Sequence, residues 1–181
     1  MELIDLFDKH RRPTGYVTAR GNTLATGMYR LVVHICIFNS RGEMLIQQRQ
    51  STKKIFPDKW DISVGGQVDA GETSEFAAQR EIEEELGLSI DMSHARPYAT
   101  MSFEEGFDDI YIVRSDAALS DLTLQQEEVK AADWASREQV QEMIRNGAFI
   151  PYHPVYIDFL FSLPGTEGTF EQDQSWNESG K

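Results

Sequence analysis

In the stretch GQVDAGETSEFAAQREIEEELGL, Gly66 to Leu88, four glutamates crowd into positions 81 to 85: Glu81, Glu83, Glu84 and Glu85. Thr73 can cap a helix by accepting from an unpaired first-turn N–H, and Gly87 suits a left-handed stop. The segment therefore predicts a helix from about Ser74 to Leu86. At about 100° per residue, Glu81, Glu84 and Glu85 share an arc of about 100° beside an apolar stripe of Ala78, Ile82 and Leu86, while Glu83 points away. Close carboxylates repel one another. A divalent cation turns that repulsion into shared attraction, and hard oxygen donors suit Mg²⁺ or Mn²⁺. The competing reading is a solvated acidic face without chemistry.

The wider spacing decides between them. Gly66 is followed after five residues by Glu72, after seven more by Arg80-Glu81, then by apolar Ile82, Glu84-Glu85, Gly87 and apolar Leu88. Ordinary residue frequencies give such a match a chance on the order of 10⁻⁷ in a chain of this size. The pattern resembles the Nudix box at every fixed position. That resemblance implies an α+β Nudix fold, a mixed β-sheet sandwiched between α-helices, with a loop-helix-loop holding Mg²⁺ or Mn²⁺ against a substrate diphosphate. It also implies roles: Glu81, Glu84 and Glu85 as metal-binding carboxylates, Arg80 as the group that orients Glu81, and Glu72 as a buried brace. Gly66 and Gly71 let the loop backbone bend where a side chain would obstruct it.

Beyond the box, the resemblance runs from roughly Leu3 to Leu163. Pro13-Thr14-Gly15, the Ile37 to Gly42 turn, the Gln48 to Lys54 segment and Pro57 to Trp60 are similar to the branch that contains isopentenyl diphosphate isomerase. That enzyme needs a cysteine and metal-binding histidines. Here the cysteine position is Gly65 and the neighbouring histidine is Gln67; two further histidine positions align with Thr23 and Arg30. None of these residues replaces a thiol or a neutral imidazole. The complete box favours hydrolysis of a diphosphate, in a nucleoside diphosphate or a substrate linked through one, over isomerisation. A nucleotide-binding sensor without catalysis is the other alternative, and the presence of Glu84 and Glu85 argues against it.

Water attack on phosphorus needs a general base. Either Glu81, oriented by Arg80, or a carboxylate outside the box takes that role. The loop before the last strand, where many Nudix enzymes place another ligand, points to Glu128 as a further catalytic and metal-binding residue, with Glu127 as the alternative. Arg49, Lys53 and Lys54 resemble the family's phosphate-holding positions. Asp108 and Asp109 belong to an acidic segment, Glu104 to Asp109, that reads as a surface tip without the spacing of an EF-hand loop.

The 181 residues suit one domain, expected over residues 1–163, with turn formers and little periodicity in a flexible tail, 164–181. A net charge of −13 argues against a nucleic-acid polymer as partner, although a small diphosphate remains accessible through a metal ion. The single cysteine, Cys36, lies in an apolar run and reads as buried packing. With no signal-peptide pattern and no membrane-length apolar run, the expected compartment is the cytoplasm. The family's frequent homodimers leave that assembly open.

Alternation and turn chemistry predict an edge strand from Glu2 to Phe7 and a turn at Arg12 to Gly15, followed by a polar segment from Arg20 to Thr26. A central hairpin follows, Leu31 to Phe38 with Met44 to Gln48, then strands at Ile62 to Val64, Tyr98 to Phe103, Ile110 to Arg114 and Ala131 to Trp134. Helices are expected at Ser136 to Arg145 and Val155 to Phe161. Trp60 reads as a core residue, and His34 as an interior or cross-strand residue rather than a ligand.

Overall fold

The computed structural model describes residues 2–165. The elements run β1 (Leu3–Phe7), β2 (Pro13–Ala19), β3 (Arg30–Phe38), β4 (Met44–Arg49), β5 (Trp60–Asp61), β6 (Val64–Gln67), α1 (Ser74–Leu86), β7 (Ala99–Phe103), β8 (Gly106–Arg114), a 3-10 turn at Leu119–Asp121, β9 (Val129–Ala135), α2 (Arg137–Arg145) and α3 (Pro154–Ser162). The fold is α+β, a mixed sheet between α1 on one face and α2 with α3 on the other.

Strand β3 organises both layers because its β-branched run is buried on both sides. Leu31, Val33, Ile35 and Ile37 pack in one core with Ala78, Ile82 and Leu86 of α1. Cys36 and Phe38 join the opposite core with Val140 of α2 and Ile157 and Leu160 of α3. Each fully buried aliphatic side chain contributes about 1.5–3 kcal/mol, so these stripes anchor α1 firmly against the sheet. Cys36 is fully buried and its thiol is pushed up by that burial.

The expected β3–β4 hairpin turns at Gly42, φ 77°, but it closes at only one register pair, Phe38 with Met44. Beyond that pair the strands diverge. β5 lines β4 and β6 lines β3, so residues 60–67 fill the wedge and lead into the loop before α1. On its other edge β3 runs parallel to β8, while β4 pairs with β9.

Helix α1 has the expected ends. The Thr73 hydroxyl accepts from the Phe76 N–H at 3.4 Å, and Gly87 adopts φ 67°. Ser136 caps α2 in a reciprocal box with Gln139. Trp60 is half-buried against the second core.

Three expectations need correction. The first turn lies at Asp8 to Arg12, and Pro13–Ala19 is a strand paired with β1; its mostly exposed residues carry no apolar rhythm to announce it. The acidic tip is shorter than predicted. Only Glu104 and Glu105 turn, while Gly106 to Asp109 already belong to β8 and Asp109 is fully buried. Of the strand expected at Ile62 to Val64, only Val64 is in one, opening β6; Ile62 and Ser63 connect β5 to β6. Of the expected tail, Pro164 and Gly165 form a turn, and residues 166–181 lie outside the described residues.

Candidate active site

The α1 cluster is built around Arg80. Its guanidinium donates to both Glu72 oxygens at 2.9 Å, to Glu81 Oε1 at 2.8 Å, to Glu84 Oε2 at 3.2 Å and to the Gln67 carbonyl at 3.0 Å. Glu72 also accepts from the Asp69 N–H at 3.0 Å, closing the turn from Asp69 to Glu72 in which Gly71 takes φ 83°. Burial alone would raise the Glu72 carboxyl, but the Arg80 hydrogen bonds outweigh it and hold the group below its ordinary value. Those bonds in turn hold Arg80 firmly charged.

Glu81 and Glu85, one turn apart, point inward and are buried, whereas Glu83 and Glu84 are exposed. Glu84 stands at the rim and is tied to Glu81 through Arg80. Gly66 makes room for this arrangement, since a Cβ there would overlap the Glu81 carboxyl. Burial pushes both inward carboxyls up. Glu81 is only partly rescued by Arg80, and Glu85 reaches about 8 even though Gln47 Nε2 donates to it at 2.8 Å. Glu81 and Glu128 act on Glu85 as like charges, which puts Glu128 beside the box.

The segment before β5 and the start of β9 meet at this edge. Lys53 pairs with Glu128, the Gln50 N–H donates to the Glu128 carbonyl at 2.9 Å, and Gln50 Nε2 donates to the Gln126 carbonyl at 2.8 Å. Glu127 is exposed and Glu128 half-buried. Arg49 turns to Asp61 at 3.3 Å, which also accepts from the Tyr152 hydroxyl at 2.8 Å; Lys54 is exposed. Among the described residues, no three carboxylate or imidazole groups stand in ready ligand geometry; Arg80, Gln47 and Lys53 hold oxygens of Glu81, Glu85 and Glu128. The donor set nevertheless fits Mg²⁺ or Mn²⁺: buried, mutually repelling carboxylates with oxygen-only chemistry are what a hard cation relieves.

Two contributors had no motif to reveal them. Gln47 falls at a core-facing position of β4 beside Leu45, so only its polarity in a buried alternation marks it. Arg20, at the end of β2, bonds Glu2 at 2.7 Å and lies within the electrostatic reach of Glu81 and Glu128. Asp109 sits apart, on β8, holding Arg11, Ser74 and Thr100.

A NUDIX domain profile matches residues 28–159. The chain belongs to the Nudix family. Its Nudix relatives include an uncharacterized Nudix hydrolase of Listeria monocytogenes, 46% identical over 163 residues that cover 90% of this chain and 95% of that one. Nudix hydrolase 3 of Arabidopsis thaliana is 32% identical across 83% of this chain and 22% of its own. A crystal structure from Deinococcus radiodurans superposes with a TM-score of 0.73 at 28% identity, covering 88% of this chain and 99% of that one. The isomerase branch is also present at a distance: an isopentenyl-diphosphate Delta-isomerase of Photorhabdus laumondii is 26% identical over 80% of this chain and 83% of its own. The protein is thus an enzyme of the Nudix hydrolase family, and β1 and β2 precede the matched Nudix segment. No helix among the described residues is long and apolar enough to cross a membrane.

Proposed function

We infer that this Nudix enzyme is a Mg²⁺- or Mn²⁺-dependent hydrolase that splits the diphosphate bond of a nucleoside diphosphate, or of a substrate linked through one. The observation that carries this reading is the buried Glu81–Glu85 pair, with Glu81 held by Arg80, Glu85 by Gln47, and Glu128 within electrostatic reach of Glu85. Glu81, Glu84, Glu85 and Glu128 would hold the ion, with Gly66, Gly71 and Glu72 fixing the loop beside them. Bound there, it supplies the Lewis acidity that withdraws charge from the phosphate oxygens.

The chain's own groups do the rest. Arg49, Lys53 and Lys54 face the substrate's anionic charge, Lys53 once it has released Glu128. Water attacks one phosphorus in line, the bond to the bridging oxygen breaks, and the water's proton passes to Glu81 or Glu128. Isomerase chemistry lacks its thiol, since Gly65 stands where it would be needed and Cys36 is sealed in the core.

The test is a phosphate-release screen of nucleoside diphosphates, nucleotide sugars, dinucleotides and isoprenoid diphosphates with Mg²⁺ and Mn²⁺. Release from a nucleotide supports the assignment. Silence across the panel points to a sensor, and isomerised isoprenoid without phosphate release overturns it.

A further inference from the structure

Among the described residues, the buried side-chain polar atoms without a hydrogen-bond partner are Arg30 Nε, Gln67 Nε2 and Asp108 Oδ1. All three belong to one patch. Val32 of β3 is in register with Gln67 on one side and Asp108 on the other, and Arg30 lies two residues before it on the same face. Asp108 is in turn in register with Met101 of β7. A row of Gln67, Val32, Asp108 and Met101 therefore crosses four strands.

The same face is covered farther along by α2 and α3, which pack on Cys36, Phe38 and Ile110. Around the row it is open. Val32 is half-buried, and Met101 and Phe103 are exposed, with the Arg30 guanidinium 5.6 Å from the Phe103 ring. Gln67 itself is only 6% exposed. Two strand spacings put its backbone about 10 Å from that of Asp108.

A buried donor or acceptor without a partner is costly, and native structures keep such groups for a reason. Here a donor and an acceptor flank an apolar Val32 floor, which matches a flat ring bearing acceptor and donor atoms on its edge. The patch is also wired to the box. The Gln67 carbonyl accepts from Arg80 while its side chain serves the opposite face, and His34 Nδ1 holds the second Asp108 oxygen at 2.7 Å.

We propose that Arg30, Gln67 and Asp108 form the recognition site for the group attached to the diphosphate, and that this group is a nucleobase rather than an isoprenoid chain. The inference rests on the hydrolase reading for its link to turnover, but not for binding. His34 positions Asp108, and the Gln67 amide and the free Asp108 oxygen read the ring edge.

The experiment compares ADP, GDP, CDP and UDP with inorganic pyrophosphate and dimethylallyl diphosphate, in turnover and in metal-free calorimetric titrations of the four nucleoside monophosphates. The expected result is discrimination among bases of about tenfold or more. Gln67→Leu should erase most of it by raising KM with little change in kcat, leave pyrophosphate binding unchanged, and keep or raise the Tm of the free protein because an unpaired amide has been removed. Asp108→Ala should weaken the same bases, and Gln67→Leu decides the matter if that variant does not fold. Base-independent turnover, or discrimination untouched by Gln67→Leu, overturns the proposal while sparing hydrolysis. If no substrate is hydrolysed the hydrolase reading fails, and the monophosphate titrations judge this site alone: absent or base-independent heat overturns it.

Discussion

Lys53 pairs with Glu128, so a side chain expected to hold phosphate and one expected to hold a metal ion neutralise each other. The pair closes the edge of the cluster where Glu85 and Glu81 are buried. If Glu128 holds the ion as proposed, cation entry and Lys53 departure would be one exchange of positive charge.

Lys53→Met should bind Mn²⁺ about threefold to tenfold more tightly than the parent in the absence of substrate, because the ion no longer competes with an ammonium. The same variant should show a higher KM for diphosphate substrates. Calorimetric titration and steady-state kinetics read the two halves, and unchanged affinity for the ion would show that the pair does not gate it.

Glu85 gives a pH signature. Its carboxyl is raised from 4.5 to about 8 by burial, with Glu81 and Glu128 adding to the effect. The unfolded chain gives up that proton first, so the stability contributed by Glu85 is full below pH 4.5 and is lost as pH rises through about 8. The metal-free protein should lose Tm across that window, and Glu85→Gln should be flatter by about 5 °C or more. Thermal melts from pH 4.5 to 8.5 test this, and added Mg²⁺ should flatten the parent profile as well.

Glu83 and Glu84 are adjacent and both exposed, but only Glu84 bonds Arg80. Glu84→Gln should reduce turnover by several orders of magnitude with the fold intact, and Glu83→Gln should do little. Equal losses would mean that the helix face does not sort these carboxylates.

Gly66→Ala places a methyl where the Glu81 carboxyl lies. The expected outcome is a folded protein whose Mn²⁺ affinity and kcat both collapse. Retained metal affinity would show that Glu81 can move aside without cost.

Asp109 is fully buried and holds Arg11, Ser74 and Thr100, joining the β1–β2 turn to β7 and the start of α1. Asp109→Ala should cost about 2–3 kcal/mol, less than a fully sealed ion pair because Arg11 keeps access to water. Denaturant unfolding reads this directly, and a loss under ~1 kcal/mol would mark the cluster as incidental.

The box helix was legible because each of its ends carries a local signal, Thr73 and Gly87, and because the spacing of its apolar stripe matches one face of a helix. Local signals failed where partners are distant in sequence. Strand β2 carries no alternation and is a strand only through its pairing with β1, and Asp109 looked like surface because its partners Arg11 and Ser74 are far from it along the chain. The opening of the β3–β4 hairpin was hidden for the same reason: the wedge segment competes for those edges, and no residue of the hairpin announces it. Within the site, only the contact of Arg80 with Glu81 was expected from the motif, whereas its bonds to Glu72, Glu84 and the Gln67 carbonyl, the inward turn of Gln47 and the nearness of Arg20 to Glu81 follow from tertiary packing.

Gly65 and Gly66 look in opposite directions. A Cβ at Gly65 would come within 2.7 Å of the His34 ring, just as one at Gly66 would invade the glutamate cluster. Introducing a cysteine at 65 therefore evicts the imidazole from its place beside Asp108 before any thiol chemistry can begin. A thiol at position 65 is thus excluded by the His34 imidazole as it packs here, and a Gly65→Cys variant must first give up the His34–Asp108 hydrogen bond.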